Sequence, residues 1–539
     1  MSRVSLIILT SAALAAPSAC KNGDRAAPQA AATPRPVGWQ PERVAELFFT
    51  TEVDGYVEPC GCTTEPLGGI QRMAQVVEKS EVPHGLVDAG NLFFPVVGLT
   101  DVTRPQHVLK SHVLARAFRQ MGALAINVAE ADLAEGALHL RMLQQEGAVP
   151  LVSANVRPMT GGPEIARSFV RTLGGIKIGI TGVATPEQVA AASKEVTVIE
   201  YVPSLSSEVK VLREAGAEVV VVLAHVGEAG ASELARLVPG VDIIVRAPGT
   251  PIEREPAAPR MQDGVLIVEA GSQGQRLGRI RFAFGAEAPP RPLVMDDAGA
   301  QARQRRTMAA KRADALKVQI AAMEQDPAKA DAVKALRAQI ARLTASTPEV
   351  AEAPLAKPHV RVDLIPLTVD VPGSEPMKEL LVGYYQELQK MNLSRGDVAK
   401  CATKDKDTPR FVGTAKCVEC HEEAYAFWKE TKHAKAWATL QKDGKHYDLT
   451  CVGCHMVGYE RPGGVCRLQD VGGFEDVGCE NCHGPGSIHV EDEDSTSIQL
   501  TTTAETCKSY CHVPEHSDGF EYETYLKKIT GPGHELSGG

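Results

Sequence analysis

Aromatic side chains, positive charge and membrane-length apolar runs are all in short supply in this chain of 539 residues. Aromatics make up 5% against 44% hydrophobic residues, so any core must be overwhelmingly aliphatic. Lys+Arg 57 against Asp+Glu 67 leaves a net charge of −10, which argues against a nucleic-acid binder working by phosphate neutralisation. The apolar run from Val4 to Ala16 is too short to cross a bilayer as a mature helix. What the chain does have is apolar material for real cores, length for two to four folded units, and 13 cysteines.

Arg3 is the only charge before the Val4 to Ala16 run, and Pro17-Ser18-Ala19-Cys20 follows it. A charged start, an apolar centre and small residues at the end describe an export signal over 1–19. Cys20 resembles the acylated cysteine of the bacterial lipoprotein lipobox, although Pro17 stands where that family prefers Leu. The resemblance implies a lipid anchor on Cys20; cleavage after Ala15 or Ala19 is the alternative. Ala/Pro-rich residues 20–42 read as a flexible tether.

Eight of the 13 cysteines fall in pairs, each followed at once by histidine. They are Cys417/Cys420/His421, Cys451/Cys454/His455, Cys479/Cys482/His483 and, with one extra residue between the thiols, Cys507/Cys511/His512. Two thiols at this spacing can add to the vinyl groups on one porphyrin edge while the adjacent imidazole reaches the iron. Composition alone would give about 0.009 such motifs in the whole chain. Zinc also uses Cys-x-x-Cys pairs, but it does not need His after every second Cys. The prediction is four c-type haems, or three if Cys507 and Cys511 carry none. About 125 residues holding four haems leave little room for a side-chain core, so the macrocycles themselves must form it. His433, His446, His489, His516 and His534 are the candidates for the far side of the irons.

The run Cys479-Glu-Asn-Cys482-His483-Gly-Pro-Gly-Ser-Ile-His489, the upstream Trp428-x4-His433 and the later Cys511-His-Val-Pro-Glu-His516 resemble the tetrahaem cytochrome c-554-type family over about residues 410–535. The resemblance implies electron transfer between closely stacked haems. It points to His433, His489 and His534 as distal ligands, with His516 next and His446 left as a surface residue. One iron can be five-coordinate in that family. The extra residue between Cys507 and Cys511 departs from its pattern.

Residues 43–295 alternate strand-like and helix-like runs, among them Leu47 to Thr51, Gly85 to Asp88, Ile176 to Ile180, Val219 to Leu223 and Val265 to Val268, which predicts an α/β layered domain. Its loops Thr51-Glu-Val-Asp-Gly55, Asp88-Ala-Gly-Asn91, Ser153-Ala-Asn-Val156 and Leu223-Ala-His225 resemble the calcineurin-like metallophosphoesterase domain of exported 5′-nucleotidases. A dimetal hydrolase holds two ions roughly 3.5–4 Å apart on a bridging carboxylate with His and Asp ligands. Here Glu52-Val-Asp54 stands for Asp-x-His, Asn91 for the bridging Asp, Val128-Ala-Glu130 for Asn-His-Glu, and Ala247-Pro-Gly-Thr250 for Gly-His-Thr-His. His225 alone survives as an imidazole ligand, so phosphatase activity is improbable. Cys60-Gly-Cys62 sits in the loop where that family places its metals. It reads either as a structural thiol pair or as a redox or soft-metal site with His225.

Residues 296–348 carry Leu316, Ile320 and Met323 on one side of a break at Gln325-Asp-Pro-Ala328, and Val333, Leu336, Ile340 and Leu343 on the other, as in a helical hairpin. The run from Arg303 to Arg312 reads as a solvated basic face. A strand–helix connector is expected over 349–405 and the tetrahaem domain over 406–539. Cys401 and Cys466 could pair in an oxidising compartment or stay free. The fold class is therefore multidomain: an N-terminal α/β layered metallophosphoesterase-like domain, a helical hairpin and a mostly α multihaem cytochrome c domain. The function that follows is an exported multihaem c-type cytochrome transferring electrons in the periplasm or at the outer membrane, fused to a degenerate 5′-nucleotidase-like domain. Its partners would be other redox proteins or quinol-linked donors, and a further metal in the N-terminal domain stays open. The alternatives are a metal-dependent phosphohydrolase or a haem/thiol oxidoreductase.

Overall fold

The computed structural model describes residues 40–59, 66–249, 256–296, 330–345, 358–395, 398–403, 405, 407–513, 517 and 519–534, with single positions between 309 and 323. Cys20, Cys60, Cys62 and His516 lie outside these residues, as does most of the first arm of the expected hairpin.

The N-terminal part is built from β1 (Arg43–Thr50), β2 (His84–Asp88), β3 (Ala123–Asn127), β4 (Leu151–Val152), β5 (Val156–Pro158), β6 (Ser168–Leu173), β7 (Ile176–Ala184), β8 (Val196–Val198), β9 (Val219–His225), β10 (Ile243–Arg246), β11 (Arg260–Gln262), β12 (Val265–Val268), β13 (Arg276–Phe284) and β14 (His359–Pro366). They form two six-stranded sheets, β14-β13-β1-β2-β3-β4 and β11-β12-β10-β9-β7-β6, with β5-β8 as a ribbon. The central strands of each sheet run parallel, and β13, β14, β6 and β11 pair antiparallel towards the edges.

Side chains alternate across a strand, and here both faces are buried. Leu47 and Phe49 of β1 join Val219, Val221 and Leu223 of β9 in the core between the sheets. Phe48 faces outward beneath α1 (Ile70–Glu78), α2 (Arg104–Gln120) and α3 (Gly136–Gly147), while Val220 and Val222 face α5 (Tyr201–Glu214) and α6 (Gly227–Leu237); α4 (Pro186–Ala192) lies near the ribbon. The result is a helix–sheet–sheet–helix stack. The expected connector belongs to this stack: β14 extends the first sheet from β13, and helix Glu375–Leu393 puts Met377, Leu381, Tyr384 and Leu388 into the outer core. Of the expected hairpin, helix Ala330–Ala345 is present, and Leu316, Ile320 and Val333 are buried.

The C-terminal part is a set of short helices joined by turns. Helices Glu422–Lys429, Ala504–Lys508 and Tyr522–Leu526 bury no residue. One small cluster around Trp437, Leu449, Val452 and Met456 supplies the apolar core. Cys401 and Cys466 form a disulfide with Cα atoms 5.9 Å apart. This region docks on α2 and helix Glu375–Leu393: Asn392 donates to the Tyr447 carbonyl at 2.8 Å, and Lys445 pairs with Glu58 at 3.3 Å.

Candidate functional site

Two places gather chemistry-bearing side chains. The first lies at the carboxyl ends of the parallel strands, where loops after β1, β2, β3 and β9 converge, the usual position of sites in open α/β sheets. Glu52, Asp54 and Asn91 all have positive φ, at 45°, 56° and 55°, a backbone state that non-glycine residues adopt only where surrounding structure enforces it. His225, fully buried at the end of β9, has Nε2 3.3 Å from Glu52 and Nδ1 3.2 Å from Glu130. Burial alone would depress its imidazole, but the neighbouring Glu52 and Glu130 carboxylates raise it above the ordinary histidine value.

The remaining carboxylates are held by the chain itself. Asp132 accepts four backbone N–H groups, from Asn91, Leu92, Phe93 and Ala129, at 2.9–3.1 Å. Burial nonetheless pushes it up to about 6. Asp88 takes the Thr50 hydroxyl at 2.7 Å and the Gly90 N–H at 2.9 Å, and burial pushes it up to about 8. Burial, then Glu52 and Asp88, push Asp54 well above the carboxylate range. Asn91 donates to Glu130 at 3.0 Å, and the Gly249 N–H donates to Glu52 at 2.7 Å. His225 therefore sits between two carboxylates, and Asn91 supplies a donor where a bridging carboxylate would be needed. Among the described residues no group of three or more His, Cys, Asp or Glu has the arrangement of a metal site. His225 faces Glu52 and Glu130, and Cys60 and Cys62, its expected thiol partners, lie outside the described residues.

The second place is the C-terminal region. Helices Thr414–Cys417, Leu449–His455, Cys479–His483 and Ala504–Lys508 carry the first cysteine of each pair. In the first pair the His421 N–H returns to the Cys417 carbonyl at 2.9 Å; in the fourth, His512 returns to the Cys507 carbonyl at the same 2.9 Å. The extra residue is thus absorbed in a wider turn, and the histidine comes back to its first cysteine in both. The Cys417 thiol neighbours Cys479, and Cys511 neighbours Cys454, so first and third pairs adjoin, as do second and fourth.

The thiols of the four pairs differ in exposure, and Cys420 stands apart. It is exposed, whereas Cys417, Cys451, Cys454, Cys479, Cys482, Cys507 and Cys511 are half-buried. The reason is its place in the chain. Cys420 stands in the turn between helix Thr414–Cys417 and helix Glu422–Lys429, its N–H reaching back to the Cys417 carbonyl at 3.3 Å. The helix that follows buries no residue, so it folds nothing over the thiol. The first pair therefore presents one half-buried and one outward thiol.

The histidines carry the clearest signal. His455 Nδ1 lies 2.7 Å from the Ala436 carbonyl, His483 Nδ1 2.7 Å from the Gln499 carbonyl and His489 Nδ1 3.0 Å from the Asp494 carbonyl. A carbonyl only accepts, so Nδ1 holds the proton and Nε2 keeps its lone pair for a metal. His512 Nδ1 meets the Ser517 hydroxyl at 3.0 Å. The His421 and His489 ring centres are 6.2 Å apart, and those of His433 and His512 are 6.3 Å apart. Two imidazoles on opposite faces of one iron need about 6 Å: two metal–nitrogen bonds of about 2 Å and about 1 Å from each nitrogen to its ring centre. Burial and the neighbouring His512 push His433 below its ordinary value, and burial does the same to His512, which keeps both imidazoles in the neutral form a metal takes. These residues fit haem. His433 opens a 3-10 turn, His433–Lys435, just past helix Glu422–Lys429, and His489 lies inside helix Ser487–Asp492. His446 packs between Trp437 and Tyr447, and exposed His534 lies against Phe427.

The family described as "Cytochrome c554 and c-prime" matches residues 416–484, the stretch holding the first three pairs. Cytochrome c-554 of Nitrosomonas europaea is 38% identical over 95 residues, 15% of this chain. The chain spans 40% of the length of that curated relative. Among solved structures, the N-terminal stack is similar to a 5′-nucleotidase precursor from Thermus thermophilus (16% identity, 77% of this chain and 75% of that one, TM-score 0.44). It is also similar to the calcineurin-like phosphoesterase YfkN from Bacillus subtilis (16% identity, 64% and 97%, TM-score 0.41). The C-terminal region is thus cytochrome c554-like over the matched residues.

Proposed function

We propose that the protein is an exported multihaem c-type cytochrome that passes electrons in the periplasm. The single observation that carries this reading is the pairing of His421 with His489 and of His433 with His512 at 6.2 and 6.3 Å, each pair including the histidine of a Cys-pair motif. Cys417/Cys420, Cys451/Cys454, Cys479/Cys482 and Cys507/Cys511 attach four haems, with His421, His455, His483 and His512 as proximal ligands. His489 lies opposite His421, and His433 opposite His512; His534 and His516 are the candidates for the other irons. Bound haem supplies a one-electron ferric/ferrous couple; the chain fixes ligand identity, burial and spacing. Cys20 anchors the protein to a membrane by lipid, and its partners are other redox proteins or quinol-linked donors.

The N-terminal stack serves as a scaffold rather than a phosphohydrolase, because its pocket closes His225 between Glu52 and Glu130. No phosphatase turnover is expected with added Mn²⁺ or Zn²⁺. A second reading, thiol redox chemistry at Cys60 and Cys62 coupled to the haems, is favoured by one contact: Lys445 donates to the Pro59 carbonyl at 3.4 Å. Unaltered redox titration and turnover in a Cys60→Ser/Cys62→Ser variant would remove it. The main reading is tested by a pyridine haemochrome assay with intact mass on the exported protein. Four haems per chain are expected; none would overturn it, and three would leave Cys507 and Cys511 unloaded.

A further inference from the structure

The second attachment helix, Leu449–His455, is held by residues from the other end of the chain. Asp448 is its N-cap, accepting from the Thr450 N–H at 3.0 Å and the Thr450 hydroxyl at 2.6 Å. The same carboxylate accepts from Gln106 Nε2 at 2.9 Å and pairs with Lys110 at 3.2 Å, both residues lying on α2. Gln106 is double-ended: its Oε1 accepts the Leu449 N–H at 3.0 Å, satisfying a helix-start donor that has no partner within the helix. Gln106 is fully buried, Asp448 is 6% exposed and the Lys110 side chain 13%. Asn392 completes the clamp, bonding the Tyr447 carbonyl at 2.8 Å and Gln106 Oε1 at 3.4 Å.

A helix of seven residues has no stability of its own, so whatever holds its ends dictates where Cys451, Cys454 and His455 stand. At its far end the hold is local, His455 Nδ1 on the Ala436 carbonyl. At its start the hold comes from α2. The neighbouring attachment helices are capped from within their own region: Thr503 caps Ala504–Lys508, and Asn481 accepts the Gly478 N–H.

We propose that Gln106 and Lys110, acting through Asp448, are positioning residues for the haem on Cys451 and Cys454, and that the balance of the Asp448 and Lys110 charges sets its potential apart from the other three. The inference rests on the haem reading above. Ferric haem carries one more positive charge than ferrous, so the buried Asp448 carboxylate lowers the potential and the Lys110 ammonium raises it.

The test is a spectroelectrochemical titration of the full-length haem-loaded protein that resolves its midpoint potentials. Lys110→Met should lower one component and leave three in place, with Lys110→Arg restoring it. Asp448→Asn keeps a capping oxygen and should raise the same component. Opposite shifts confined to one haem are expected; a purely structural role would move both variants the same way or smear all four components. All components unmoved, or all moved together, in either variant with full haem content overturns the proposal. A wild-type peptide map showing no haem on Cys451 and Cys454 would overturn the haem reading itself, and the inference with it.

Discussion

The N-terminal stack and the C-terminal region are held together by different means. The stack buries aliphatic side chains on both faces of two sheets, and β9 is buried along its whole length, Val219 to His225. The C-terminal region spreads short helices around one small apolar cluster, and three of its helices bury nothing. The first region is a hydrophobic core with a cluster of buried polar side chains at the ends of its parallel strands. The second is a set of short helices carrying the Cys-His pairs, with that one small cluster as its apolar core among the described residues.

Withholding the cofactor should break the comparison most sharply. Full-length protein produced without c-type haem attachment should lose residues 407–534 rapidly to limited proteolysis while the two-sheet stack survives as a resistant fragment. Equal resistance of both parts would mean that the C-terminal region has a core the short helices do not reveal. Conversely, Phe48→Ala, at a fully buried position of the stack, should cost about 3–5 kcal/mol in chemical denaturation and leave the haem spectrum unchanged. Opening the Cys401–Cys466 disulfide, which spans 65 residues, should cost about 2–4 kcal/mol, read as a lower melting temperature of the C-terminal region.

The smallest effect is one of pH. Asp88 is pushed by burial up to about 8, and His225, despite burial, is raised by Glu52 and Glu130. A group whose folded-state pKa is raised binds more protons folded than unfolded, so its stabilisation falls as pH climbs towards the folded pKa. The melting temperature of the stack should therefore decline from about pH 5 to about pH 8. Asp88→Asn, which removes the titration and keeps an acceptor for the Thr50 hydroxyl, should flatten that slope. A slope of the opposite sign in the wild type would contradict the assignment.

The cysteine–histidine pairs are legible because the same residue types recur at near-constant spacing. Spacing says nothing of exposure, however, and the outward position of Cys420 follows from the surface helix after it rather than from the motif. Central strands such as Val219 to Leu223 are legible because burial on both faces leaves an unbroken apolar run. β13 escapes that reading: Arg276, Arg279 and Arg281 interrupt it, and only the fold shows Arg279 and Arg281 meeting Glu46 and Asp363 across neighbouring strands. The capture of His225 by Glu52 and Glu130 is likewise set by loops far apart in the chain. Asp88 and Asp132 are invisible as buried acids, because nothing local in the sequence signals the backbone donors that surround Asp132. The clamp of Gln106 and Lys110 on Asp448 joins positions 342 residues apart, beyond the reach of any periodicity. Cysteine pairing is the one long-range contact that residue type alone suggests, and Cys401 does bond Cys466.

The most direct test of the central claim is electron paramagnetic resonance on the oxidised, haem-loaded protein, comparing wild type with His489→Ala and His433→Ala. If His489 shares an iron with His421 and His433 shares one with His512, each variant should convert one low-spin haem, and one alone, to a high-spin signal. Imidazole added to the solution should reverse the conversion. Spectra of both variants identical to wild type would contradict the account.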